Sequence, residues 1–137
     1  MTEGGLSYET LRAIVEHASD GVFVTDGTLR IEWVNASACA MLGRTTDELI
    51  GHRVSEWIDP DELAREPIKR EELLAGKTVI TTRTFHTGDG GVRILEVSAK
   101  LVSDGRILGL ARDVTERLHA QHQLDRKSTR LNSSHRL

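Results

Sequence analysis

An α+β domain built on a small antiparallel sheet is the fold class this sequence predicts, and three observations predict it. Asp-Gly occurs four times, at Asp20-Gly21, Asp26-Gly27, Asp89-Gly90 and Asp104-Gly105, each beside a run rich in β-branched, aromatic or aliphatic residues. Gly takes positive φ freely and Asp tolerates it, so these pairs read as hairpin turns. Between the second and third pairs, helix starts and stops replace turn signals. The expected order is a hairpin, then short helices, then a longer β-meander.

The elements follow in chain order. Leu6 to His17 reads as an amphipathic helix, with Leu11, Ile14, Val15 and Ala18 at helical spacing and Ser7 as its N-cap. Gly21 to Asp26 reads as a strand that turns through Gly27-Thr28 into Arg30 to Asn35, where Ile31 and Trp33 alternate with Arg30 and Glu32. Asn35 is placed to cap Ala36 to Leu42, and Gly43 to close that helix. Thr45-Thr-Asp-Glu48 is a capping box opening a short helix that stops at Gly51. Asp59-Pro60 starts another, Pro67 interrupts, and Ile68 to Ala75 forms a further helix ending at Gly76. Three strands follow, Thr78 to His86, Val92 to Leu101 and Arg106 to Asp113; in the middle one Leu95, Val97 and Ala99 share a face. Val114 onward is helical in composition.

Bulk properties narrow the function. At 137 residues, 38% hydrophobic and 28% charged, the chain has the composition of one globular domain. No apolar run is long enough to span a bilayer, the start lacks the pattern of a secretory signal, and a cytoplasmic location is the default expectation. A single cysteine, Cys39, rules out an internal disulfide framework and a CxxC-type metal site. Residues 125–137 carry four basic side chains against Asp125 alone, so the remainder is more acidic than the net −3 of the whole. An acidic body argues against nucleic acid as a partner. No Ser/His/Asp or paired-carboxylate arrangement supports catalysis, so no catalytic and no metal-ligating residue is assigned.

The basic end has no apolar face and no turn logic. Asp125 to His135, Asp-Arg-Lys-Ser-Thr-Arg-Leu-Asn-Ser-Ser-His, matches the conceptual translation of a common short-read sequencing adapter. It is expected to be an artefactual, disordered tail, with the natural chain cut near Leu124 before a further domain.

Four stretches together resemble a PAS domain of the S-box type in a bacterial signalling protein. They are Asp20-Gly-Val-Phe-Val-Thr-Asp26 with Ile31-Glu-Trp-Val-Asn35; Leu42-Gly43 with Thr46-Asp-Glu-Leu-Ile-Gly51; Arg83 to Ala99 around Thr87-Gly-Asp-Gly-Gly91; and Leu110-Ala-Arg-Asp-Val-Thr-Glu-Arg117. The resemblance implies a PAS fold: a five-stranded antiparallel sheet with short helices on one face and flanking helices at both ends. It implies an N-terminal flanking helix within 1–18, the PAS domain at 19–115, the start of a signalling exit helix at 116–124 and the tail at 125–137. It further implies a sensor in signal transduction that binds a small ligand or dimerises. The signal would pass to an effector in cis, such as a histidine kinase of a two-component phosphorelay or a cyclic-dinucleotide enzyme.

Candidate residues follow from this reading. A ligand between the sheet's inner face and the helices would meet Phe23, Trp33, Leu95, Val97 and Ala99, with Gly109 and Ala111 leaving room. Core packing explains the same residues equally well. Asp113 and Thr115 lie where the last strand releases the exit helix and are the expected signal relay. Asp26, Asn35 and Thr45 read as structural: a turn former and two helix caps. The expected partners are a second copy of the chain and a small molecule, with no membrane contact in this segment. No cofactor is identified and none is expected to be tightly bound. A flavin-carrying light or redox sensor is the alternative, but the family's photoactive motif is absent from Gly51-His-Arg-Val-Ser-Glu56, and Cys39 reads as a small buried apolar residue. A haem sensor would need an axial histidine on the helix before the third strand, and His52 and His86 lie elsewhere.

Overall fold

In the computed structural model, Thr2–Glu3 and residues 5–135 are described, with side chains for 5–125. A two-residue ladder, β1 (Thr2–Glu3) with β2 (Leu6–Ser7), precedes α1 (Tyr8–Glu16). The domain proper holds β3 (Gly21–Thr25), β4 (Ile31–Val34), α2 (Ala36–Leu42), α3 (Thr46–Leu49), a 3-10 turn at Val54–Trp57, α4 (Pro60–Arg65) and α5 (Arg70–Leu74). It continues with β5 (Val79–His86), β6 (Val92–Leu101), β7 (Ile107–Asp113) and the exit helix α6 (Thr115–His135). The five main strands form one sheet in the order β4-β3-β7-β6-β5, every pair antiparallel. Strands β4 and β5 are the two edges, so the chain between them must cross the sheet. The short helices make that crossing and roof one face.

Local chemistry accounts for most boundaries. The Asn35 side chain accepts from Ala38 N and caps α2, and Gly43 ends it at φ 62°. Thr45 and Glu48 form the full capping box of α3. Asp59 caps α4 with Pro60 in the first turn. In the β6–β7 turn Asp104 and Gly105 both take positive φ, 74° and 76°. Gly88 lies so close to Gly43 that a Cβ would fall 2.2 Å from the Gly43 carbonyl oxygen, fixing the β5–β6 turn against the end of α2.

The first hairpin departs from expectation twice. Gly27 is not its positive-φ residue; Leu29 is, at 72°. The Asp26 carboxylate forces that shape, accepting from Thr28 N (2.8 Å), Thr28 Oγ1 (2.6 Å) and Arg30 N (3.1 Å). Trp33, expected on the inner face, lies on the outer one. Val24 pairs with Trp33 and Thr25 with Ile31, leaving Glu32 as the extra residue of a β-bulge. The bulge breaks the two-residue period, so Ile31 and Val34 are buried in the core and Trp33 sits under α1 beside Leu11 and Val15.

Two further expectations are corrected. Asp20-Gly21 is not a turn: Gly21 opens β3, where a Cβ would stand 3.2 Å from both Ala38 Cα and Met41 Sδ, so it serves the close approach of α2. The disordered end expected at 125–137 is also not found over 125–135, because α6 runs unbroken to His135; residues 136–137 lie outside the described residues. No Gly or Pro follows Gly109, and Arg, Lys, Gln and Leu are good helix formers, so nothing local stops the helix.

The core lies between the roof and the sheet: Phe23, Ile31, Val34, Ala38, Leu42, Leu49, Ile58, Phe85, Leu95 and Ala111 are buried together. Asn35, also buried, uses its whole amide: Oδ1 accepts from Val22 N (2.9 Å) and Ala38 N (3.0 Å), and Nδ2 donates to Val15 O (2.8 Å) and Asp20 O (3.1 Å). Asn35→Ala would orphan four backbone groups, and urea denaturation is expected to show a loss of about 3–4 kcal/mol. Thr45→Ala, at an exposed cap, should cost only about 1 kcal/mol; equal losses would contradict the assignment.

Several carboxylates are held below their ordinary range. Asp26 is lowered by the Thr28 hydroxyl and Arg30 N–H, Glu48 by the Thr45 N–H, Glu56 by the Arg53 N–H, Asp59 by His86 and Asp89 by Thr87. A depressed folded pKa means that the unfolded chain binds more protons, so this stabilisation is complete above the ordinary values of 3.8 (Asp) and 4.5 (Glu) and fades as pH falls below them. The thermal midpoint is expected to drop between about pH 5 and pH 3, with a shallower drop in Asp59→Asn. A midpoint that does not fall over this range would contradict it.

Candidate functional site

The inner face of the sheet is not uniformly filled. At the end nearest α2, Leu95 and Ala111 are fully packed against Ala38, Leu42 and Phe85. Toward the other end a cavity of about 100 Å³ remains between sheet and roof. Its floor comes from alternate residues of four strands: Phe23 and Thr25 of β3, Val79, Thr81 and Arg83 of β5, Val97 and Ala99 of β6, Ile107 and Gly109 of β7. Val54, Ile58, Ile68, Lys69 and Leu73 close it from the helical side. The gap exists because Gly109 and Ala99, paired across β6 and β7, carry almost no side chain.

Of the residues expected to face a ligand, Phe23, Val97, Ala99 and Gly109 line this cavity. Leu95 and Ala111 share their face but belong to the solid core, and Trp33 lies on the opposite side of the sheet. The wall residues of β5 were not singled out. Val79, Thr81, Arg83 and Phe85 do form a period-two stripe, but an arginine and two hydroxyl-bearing neighbours disguise it as a solvent face. Those from the roof have no periodic signal, because the segments are four to six residues long.

Arg83 is the unusual member. It is 4% exposed, and its guanidinium donates to the carbonyl oxygens of Glu66 and Pro67 at the end of α4. It thereby ties the α4–α5 link to β5. Thr25 donates to the Asp26 carbonyl (2.9 Å), and Lys69 is exposed at the rim.

Asp113 and Thr115, the expected relay residues, lie at the end of β7 and the start of α6. Asp113 Oδ1 accepts from Thr115 N (3.0 Å) and Thr115 Oγ1 (2.6 Å). Thr115 Oγ1 in turn accepts from Ile94 N (2.8 Å), and Val114 N donates to Ile94 O (2.9 Å). The start of α6 is thus fastened to β6 at Ile94, three residues from cavity-lining Val97. Arg93 lies 3.6 Å from the outer oxygen of Asp113.

Cofactor-like residues lie elsewhere. Cys39 is on α2, with Sγ 3.5 Å from Thr46 Oγ1, and packs against the core without lining the cavity. His52 pairs with Glu56 (3.2 Å) and His86 with Asp59 (3.1 Å), both at the surface. Among the described residues no cluster of His, Cys, Asp or Glu could hold a metal ion, and no helix is long and apolar enough to cross a membrane. Pockets for drug-sized ligands measure about 300–1,000 Å³. The cavity, about 100 Å³ with Phe23 as its aromatic wall, is smaller than that range.

Gly109 tests the hollow directly. A Cβ there would make only ordinary contacts, 3.8 Å from Phe23 Cβ, whereas one at Gly21 would press on Ala38 and Met41. Gly109→Ala is expected to be neutral or stabilising by up to about 1 kcal/mol, and Gly21→Ala destabilising by about 1–3 kcal/mol, in chemical denaturation. The reverse order would mean that the space beside Gly109 is filled.

Comparison with known proteins agrees with this architecture. A family model described as PAS fold matches residues 15–119. A domain of a sensory box sensor histidine kinase/response regulator from Geobacter sulfurreducens is 31% identical, covering 77% of this chain and 92% of that one, with a TM-score of 0.69. The PAS domain of an HTR-like protein from Haloarcula marismortui is 22% identical over 77% and 89%, with a TM-score of 0.65. The LOV protein of Rhodobacter sphaeroides is 18% identical over 84% and 74%, with a TM-score of 0.66, a likeness of fold alone. No curated protein matches the chain. The chain belongs to the PAS family, a family of sensory domains.

Proposed function

We propose that this PAS domain senses a small molecule in the cavity between its sheet and helices and relays occupancy through β6 and β7 to an effector attached beyond α6. One observation carries the reading: the strands that floor the cavity with Val97, Ala99, Ile107 and Gly109 also hold the exit helix, through Ile94, Asp113 and Thr115. A ligand that spreads or draws in these strands acts on the hydrogen bonds that set the start of α6, a two-state element of the kind signalling uses. The reading assigns the domain no chemistry of its own; among the described residues the cavity lining pairs no nucleophile with a base.

The relative from Geobacter sulfurreducens is a domain of a sensor histidine kinase/response regulator, which favours a histidine kinase in a cytoplasmic two-component phosphorelay as the effector. A homodimer is the working form. Leu11 and Ile14 of α1 and Leu110 on the outer face of β7 are exposed apolar residues that a second copy would cover. A flavin or haem sensor is disfavoured by the size of the cavity and the positions of Cys39, His52 and His86.

Asp113→Ala in the intact protein tests the relay. The expected outcome is an effector output that no longer responds to signal, with a thermal midpoint within a few degrees of the parent. Preserved responsiveness, or loss of the folded domain, would contradict the assignment.

A further inference from the structure

We infer that the ligand of this cavity is a small organic anion, a monocarboxylate with a short apolar chain, bound through Arg83; the inference rests on the reading of the cavity as a ligand site. The observation behind it is an uncompensated buried charge. Arg83 lies on the inward stripe of β5 and is 4% exposed. A guanidinium does not lose its proton in proteins, so the charge is permanent, and it offers five N–H donors. Its protein partners among the described residues are two backbone carbonyls, of Glu66 and Pro67. Carbonyl dipoles at a helix end offset part of a charge, not the whole of it. Taking a full charge out of water is expensive unless an opposite charge meets it.

No such charge comes from the protein. Among the described residues Arg83 forms no ion pair, and no Asp or Glu lines the cavity. Of the acids on the neighbouring segments, Asp59 engages His86 and Glu62 N, Glu62 engages Thr84 N, and Glu66 is exposed. Lys69 adds a second cation at the rim, and the Thr81 side chain forms no hydrogen bond among the described residues. The lining therefore divides into two positive charges and a hydroxyl that has no hydrogen bond among the described residues, and otherwise apolar carbon.

That division specifies the ligand. A carboxylate matches the planar fork of a guanidinium with two parallel hydrogen bonds. The apolar lining, with Phe23, Ile58, Leu73 and Ile107, suits a hydrocarbon chain and would leave a second ionised group unpaired. An amine or a zwitterion would bring a third cation to a wall without acids. The volume sets the length. A cavity of about 150 Å³ holds benzene, with six heavy atoms, so about 100 Å³ makes butyrate, also of six, the upper limit of size.

The test uses the full chain and three probes that share a four-carbon chain, butyrate, butyramide and butylamine, at constant ionic strength, read by calorimetry and thermal midpoint. Butyrate is expected to bind saturably and raise the midpoint, with butyramide at least tenfold weaker and butylamine inactive. Arg83→Gln should abolish the preference for butyrate. Because Arg83 also ties down the α4–α5 link, Ala99→Leu is the second variant; it fills the hollow with Arg83 in place and should abolish butyrate binding. Equal binding of butyrate and butyramide, or undiminished butyrate binding by a folded Arg83→Gln, would overturn the anion assignment while leaving the cavity as a ligand site. Binding of none of the three would overturn the anion assignment, and butyrate binding unaffected by Ala99→Leu would overturn the cavity reading with it.

Discussion

One buried amide holds this domain's elements in register. Asn35 sits where β4 ends and α2 begins, and its four hydrogen bonds reach the end of α1, the residue before β3, the first amides of β3 and the first turn of α2. No charged side chain could serve all four, because the site needs two acceptor and two donor directions on one planar group. With α2 fixed there, Ala38 and Leu42 descend onto Gly21, Leu95 and Ala111, and that end of the sheet is solid.

The opposite end of the same face is held differently. Its roof consists of segments of four to six residues, too short to be stable alone, which lean on arginines reaching across to backbone carbonyls. Arg70 donates to Gly27 O (2.8 Å), Arg53 to Thr28 O (3.0 Å), Arg30 to Gly51 O (2.8 Å), and Arg83 to Glu66 and Pro67. A rigid half anchored by Asn35 thus adjoins a hollow half stitched by polar contacts. Local stability follows the density of buried apolar contacts, so the hollow half is the part that a ligand can reorganise. Strands β6 and β7 run through both halves, and the start of β6 and the end of β7 hold the first residues of the exit helix, the route we propose from Ala99 and Gly109 to Thr115.

Most of the architecture was legible because local chemistry and tertiary need coincide. The Thr45–Glu48 box, the Asn35 and Asp59 caps, Gly43, and the Asp104-Gly105 turn each satisfy a backbone demand that a few residues can announce. The junction at Asp113 and Thr115 was legible for the same reason, since the strand yields to a helix there. Trp33 was misplaced because a bulge at Glu32 resets the alternation, and no feature of Ile31-Glu-Trp-Val34 distinguishes a bulged strand from a regular one. Asp20-Gly21 imitates a turn although Gly21 answers to the approach of Ala38. The cavity was half visible: small residues on β6 and β7 hinted at room, but Arg83 on the inner stripe of β5 reads as solvent-facing until the strands are paired.

The account depends on the inner face being solid at Leu95 and Ala111 and hollow at Ala99 and Gly109. A crystal structure under xenon pressure measures this most directly, since xenon enters apolar voids and reports them by electron density. The account predicts xenon between Gly109 and the Ile58–Leu73 side of the roof, and none beside Leu95. A structure in which side chains of the roof or of β5 close that space, with no xenon taken up, would contradict it.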